Sequence, residues 1–94
     1  MTFEIKKVGV IGAGTMGSGI AAHLANAGVE VLLLDMPQSG FGKKNQLAEQ
    51  AIERLQKVDP AAFMTPKMAK FITPGNLEDD LEKLSACDWI IEAI

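Results

Sequence analysis

Apolar residues in this chain come in short continuous runs, separated by stretches with helical spacing. The first run is KVGVI at residues 7–11. Rich in Val and Ile and without polar alternation, it has the pattern of a parallel strand covered on both faces. Residues 15–27 place Ile20, Leu24 and Ala27 on one helical face, and Gly28 follows where a left-handed helix stop is expected. A second strand is predicted over residues 29–34, ending at Asp35. Pro37, Ser39, Gly40 and Gly42 then predict a turn.

A long helix is predicted over residues 43–57, where Leu47, Ala51 and Leu55, continuing to Val58, recur at helical spacing. Asp59-Pro60 ends it, and Pro66, after Thr65, suits the first turn of a short helical piece. Residues 71–73 read as a brief third strand and Pro74-Gly75 as a turn. Asn76 is expected to cap a helix reaching Leu84, with Glu78, Asp79 and Asp80 near its positive end. A fourth strand, expected to be buried, covers residues 88–93.

Strands alternating with helices predict an α/β fold with a parallel sheet and right-handed crossovers. The expected class is a Rossmann-type, doubly wound parallel sheet, partial, with strand order 3-2-1-4 and a crevice above strands 1 and 4. A helical insert of 35 residues, 36–70, separates strands 2 and 3. At 94 residues the chain covers one and a half βαβαβ halves, and its final apolar run stops abruptly. The expectation is therefore the N-terminal part of a larger α/β domain in a longer protein.

Composition narrows the partners. With 48% hydrophobic residues the chain has enough apolar surface for a core. A net charge of −3, with no basic stripe, argues against nucleic acid. No run approaches the roughly 20 apolar residues of a membrane span, and no secretory segment precedes the first strand. One cysteine, Cys87, excludes an internal disulfide and reads as a small packed hydrophobe. A cytoplasmic or organelle-matrix location is the resulting expectation.

The chemistry is concentrated in Gly12-Ala13-Gly14-Thr15-Met16-Gly17, the G-x-G-x-x-G spacing placed directly between a strand and a helix. Gly12 permits the sharp turn, Gly14 lets a pyrophosphate approach the backbone, and Gly17 lets helix and strand pack closely. Unpaired amides at the helix start then face phosphate oxygens. Asp35, about 20 residues on, is placed to accept hydrogen bonds from the adenosine ribose and to repel a 2′-phosphate. NAD is expected over NADP, with Lys43 and Lys44 the residues that could work against that preference.

Other candidates carry less. His23 lies six residues past Gly17, about 9 Å along the helix axis, and reads as a packing or surface residue. No catalytic base and no metal site is assigned. Glu92 is either a site acid or the cap of a neighbouring helix. Phe41, Phe63, Phe71, Met64 and Met68 read as core rather than an acyl-binding surface, and Lys43, Lys44 and Lys57 as a solvated face.

The stretch KVGVIGAGTMGSGIAAHLANAGVEVLLLD closely resembles the start of the NAD-binding domain of 3-hydroxyacyl-CoA dehydrogenases. TPKMAKFITPGNLEDDLEKLSACDWIIEAI resembles the same family's third strand, following helix and fourth strand, with residues 36–63 the least diagnostic. The resemblance implies NAD-dependent oxidation of an (S)-3-hydroxyacyl-CoA to the 3-ketoacyl-CoA in fatty-acid β-oxidation. It places the pyrophosphate on the loop from Gly12 to Gly17, Met16 next to the cofactor, the adenosine ribose on Asp35, and the nicotinamide side against the segment that Ala93 and Ile94 begin. It further implies a catalytic histidine, its glutamate partner and a helical C-terminal domain beyond residue 94. Acyl-CoA would be bound through that part, in a homo-oligomer or a polypeptide fused to an enoyl-CoA hydratase domain. The 94 residues alone are expected to be inactive. Two other readings stay open: a β-hydroxyacid or phosphogluconate-type dehydrogenase, and a non-enzymatic NAD-sensing module.

Overall fold

The computed structural model describes residues 5–39, 43–57, 62–63 and 66–94. Four strands form one parallel sheet: β1 (Lys7–Ile11), β2 (Glu30–Asp35), β3 (Ile72–Asn76) and β4 (Trp89–Glu92), in the order β3-β2-β1-β4. Val10 pairs with Leu33 and with Ile91, and Leu33 with Pro74, so one row of residues crosses the whole sheet. The helices are α1 (Thr15–Asn26) and α2 (Gln46–Lys57), with two 3₁₀ turns, Pro66–Phe71 and Leu81–Ala86.

Alternation along the central strands divides the core. Val8, Val10, Val31 and Leu33 face α1 and α2, where Ala21, Ala22, Ala25, Ala48, Ala51 and Leu55 meet them. Leu32 and Leu34 face the other side, against Leu84, Leu77 and Cys87. Both faces of β2 are thereby covered, and its four apolar residues are buried. Each such side chain contributes about 1.5–3 kcal/mol relative to exposure. Small alanines on α1 and α2 let the helices sit close to the sheet. Asn26 donates to the Ala62 carbonyl at 2.9 Å, and buried Phe63 joins the main core. Met68 and Phe71 pack against it too, which agrees with a core role; Phe41 and Met64 lie outside the described residues.

Several expectations need correction. Pro74 and Gly75 do not turn the chain but lie inside β3. Proline is tolerated there because β3 is an edge strand, with no partner awaiting its missing N–H. Asn76 ends that strand instead of capping a long helix. Its Oδ1 accepts the Glu78 and Asp79 amides at 3.0 and 2.8 Å, capping a turn, and the helix after it is only the 3₁₀ piece Leu81–Ala86. Asp80, just before that piece, accepts the Asn76 amide at 2.9 Å and pairs with Lys83 at 2.8 Å.

Helix α2 starts at Gln46 rather than residue 43, and Asn45 in the turn before it accepts a 2.6 Å bond from the Asn76 side chain. Strand β4 is not buried in this structure: Trp89 and Ile90 are 58% and 46% exposed, and among the described residues β4 pairs with β1. Gly40, Gly42, Val58, Asp59, Pro60 and Thr65 fall outside the described residues. Among the described residues no helix is long and apolar enough to cross a membrane.

Candidate functional site

The four parallel strands end at one edge of the sheet, and β1, β2 and β4 border the glycine turn there. The chain leaves β1 at Gly12, whose φ of +111° is a conformation that side chains resist, and whose amide donates to the Leu34 carbonyl at 2.8 Å. Helix α1 begins three residues later. A methyl group on Gly17 would overlap the Gly12 carbonyl, so the helix can lie this close only with glycine there. Ala93 donates to the Ile11 carbonyl at 2.8 Å, which carries the end of β4 over the same turn. A side chain on Gly12 would come within 3.0 Å of the Ala93 carbonyl and 3.1 Å of the Ile94 nitrogen.

Gly14 differs from its neighbours. A Cβ there would meet nothing within 4 Å, so the space it faces is open. Gly14 is also the residue preceding α1, no side chain caps the helix, and no acid occupies the first turn. The first amides of α1 therefore lack intrahelical acceptors, and the helix dipole adds partial positive charge beside them. Amides and dipole of this kind suit an anion.

Asp35 ends β2 beside the loop. One carboxylate oxygen accepts the Ala13 amide at 2.7 Å and the other accepts the Met36 amide at 2.6 Å. Each oxygen keeps a second lone pair, so the carboxylate can still accept hydroxyl donors. Met16 and Met36 are exposed at this edge, at 69% and 57%. Gly12, Ala13, Gly14, Thr15, Met16, Gly17, Asp35, Ala93 and Ile94 are thus gathered at the carboxyl ends of β1, β2 and β4.

Lys44 is engaged elsewhere. Its ammonium lies 3.1 Å from Asp79 and 3.4 Å from Glu78, and hydrogen bonds to these acids hold its pKa above the ordinary lysine value. Asp79 is correspondingly held low, first by Lys44 and then by Asn76. Lys57 pairs with Glu53 on its own helix. Lys43 is exposed.

His23 is exposed in the last turn of α1, at the far end from the loop. Burial pushes the Cys87 thiol above its ordinary pKa, which suits packing rather than reactivity. Glu92 is exposed at the end of β4, level with Ile11.

Sequence reasoning passed over Arg54. From α2 its guanidinium donates to the Ala13 carbonyl at 3.2 Å. It lines a crevice with Thr15, Ser18, Gly19 and Leu55. A separate crevice at the amino ends of the strands, lined by Lys7, Glu30, Lys70 and Phe71, contains none of the loop residues. Ligands of open α/β sheets bind at the carboxyl ends of the strands, the edge that the glycine turn occupies.

Residues 7–94 match the family described as 3-hydroxyacyl-CoA dehydrogenase, NAD binding domain. A probable 3-hydroxyacyl-CoA dehydrogenase of Deinococcus radiodurans is 55% identical over 91 residues, covering 97% of this chain and 26% of its own length. A putative fatty acid oxidation complex trifunctional enzyme of Rickettsia felis is 48% identical over 94 residues, covering 100% of this chain and 13% of its own. The crystal structure of 3-hydroxybutyryl-CoA dehydrogenase from Escherichia coli superposes with a TM-score of 0.70 at 28% identity, covering 96% of this chain and 19% of that one. The chain spans about a quarter of the Deinococcus relative and about an eighth of the Rickettsia relative. It belongs to the 3-hydroxyacyl-CoA dehydrogenase NAD-binding domain family.

Proposed function

We propose that this chain is the front part of the NAD-binding domain of an oxidoreductase that converts (S)-3-hydroxyacyl-CoA to 3-ketoacyl-CoA in fatty-acid β-oxidation. The observation that carries the proposal is the open, uncapped amide turn at Gly14 beside the Asp35 carboxylate. In this reading the loop from Gly12 to Gly17 holds the pyrophosphate, Asp35 the adenosine ribose, and Ala93 and Ile94 flank the nicotinamide side. Lys44 is already paired with two acids, and this supports NAD over NADP.

Bound NAD supplies a hydride acceptor. Oxidation of a hydroxyl also releases a proton, which needs a base within hydrogen-bond reach. His23, the single histidine of the chain, sits at the wrong end of α1 for that task. The base is therefore proposed to lie in a segment past residue 94, together with the helical domain that binds acyl-CoA. The Rickettsia relative's description as a trifunctional enzyme supports a fused hydratase domain as one arrangement, a homo-oligomer being the other. A cytoplasmic or organelle-matrix location goes with this reading.

The test is an assay of NADH oxidation with acetoacetyl-CoA, on the full-length protein encoded by the reading frame that contains these residues. Turnover with NADH is expected, with none from the 94 residues alone. A full-length protein that binds NADH but turns over no 3-ketoacyl-CoA contradicts the proposal.

A further inference from the structure

The peptide groups on either side of Ala13 are each held by a charged side chain from a different element. The Ala13 amide donates to Asp35 Oδ2 at 2.7 Å, across 22 positions of sequence. The Ala13 carbonyl accepts from Arg54 Nη2 at 3.2 Å, across 41 positions. Among the described residues no carboxylate pairs with Arg54.

The second bond has a geometric consequence. A trans peptide is planar, so its carbonyl and the following N–H point in opposite directions. Arg54 holds the Ala13 carbonyl on the α2 side, and the Gly14 N–H is thereby turned the other way. Glycine is the residue least able to hold this orientation alone, because its backbone torsions are nearly unrestricted. Were the peptide to flip, a carbonyl oxygen would replace the amide at the turn and repel a phosphate. Arg54 stands at the rim of the α2 face that buries Ala51 and Leu55, which fixes where its stem begins.

We infer that Arg54 is a positioning residue for dinucleotide binding: it locks the Ala13–Gly14 peptide in the orientation that offers the Gly14 amide to the diphosphate. This inference rests on the cofactor reading above. A plainer role exists, since Arg54 and Lys57 are both cations in the last turn of α2, where either complements the helix dipole. The two roles separate experimentally, because among the described residues Lys57 pairs with Glu53 on its own helix and not with the turn.

The full-length protein is titrated with NADH as the native sequence, Arg54→Met, Arg54→Lys and Lys57→Met, and the Gly14 amide is followed by NMR. Losing a hydrogen bond from a charged donor is expected to weaken NADH about tenfold in Arg54→Met. Faster hydrogen exchange or a shifted Gly14 amide resonance should accompany that loss. Lys57→Met should match the native chain. Arg54→Lys, which keeps a donor on a stem without the fork, should fall between and covers the case in which Arg54→Met does not fold. Weak adenosine binding, which involves no diphosphate, should not change in either Arg54 variant. Equal NADH affinity in the native protein and Arg54→Met, or equal losses in Arg54→Met and Lys57→Met, overturns the inference alone. A full-length protein of native sequence that does not bind NADH overturns the cofactor reading and the inference with it.

Discussion

Asp35 and Ala13 are joined by a 2.7 Å hydrogen bond from the amide of the glycine turn to the carboxylate at the end of β2. The same acid therefore shapes the loop and borders the space beside it. Asp35→Asn replaces an ionised acceptor and puts an amide group where the Ala13 N–H points. Hydrogen bonds to charged groups are worth about 1.5–3 kcal/mol, so NADH binding should weaken by about tenfold or more in a calorimetric titration. Discrimination against NADPH should shrink in the same variant.

Gly14 and Gly17 should respond oppositely to the same substitution. Gly17→Ala forces a methyl group into the Gly12 carbonyl and should destabilise the fold by about 1–3 kcal/mol, read as a lower melting temperature. Gly14→Ala meets no protein atom, so stability should stay within about 0.5 kcal/mol while NADH binding falls.

Lys44 should be irrelevant to cofactor choice. Its ammonium is shared between Asp79 and Glu78, both exposed, an arrangement worth little to stability. Lys44→Ala should leave the ratio of NADH to NADPH affinity within about twofold, equivalent to roughly 0.4 kcal/mol. A large loss of NADPH binding in that variant would assign Lys44 to a 2′-phosphate.

Acid should loosen the sheet through two carboxylates. Asp80 is held below its ordinary value of 3.8 by Lys83 and then by the Asn76 amide. Asp88 is held below the same value by the Lys6 and Lys7 amides, at 2.8 and 3.0 Å. Both bind fewer protons folded than unfolded across this window, so acidification favours unfolding. Their contribution is whole above about pH 4 and is lost as pH falls through the depressed folded values. The melting temperature should decline over that range, and the double variant Asp80→Asn, Asp88→Asn should show a flatter profile.

The glycine turn, α1 and the acid at the end of β2 were legible because their signals are local: a β-like run, three spaced glycines, a helical face and one carboxylate. The strand order also followed, since alternating elements leave few parallel topologies. Pro74 and Gly75 misled because their turn preference is local, while their strand position depends on lying at the sheet edge. Asn76 was recognised as a cap, but what it caps is a turn stapled to Asn45, 31 residues earlier. Trp89 and Ile90 looked like core, and burial depends on a neighbour that a strand's own sequence does not specify. Arg54 gave no signal, since its contact with Ala13 exists only once α2 has packed beside α1. A cation one position before buried Leu55, at the rim of an apolar face, is the pattern that could have flagged it.

The central claim is that the uncapped turn at Gly14 receives a dinucleotide. An NMR titration of the full-length protein with NADH, following backbone amides, tests this most directly. The account predicts saturable binding, with the largest shifts at Gly12 to Gly17 and at Asp35. Shifts gathered instead around Lys7, Lys70 and Phe71 at the opposite edge, or no binding, would contradict it.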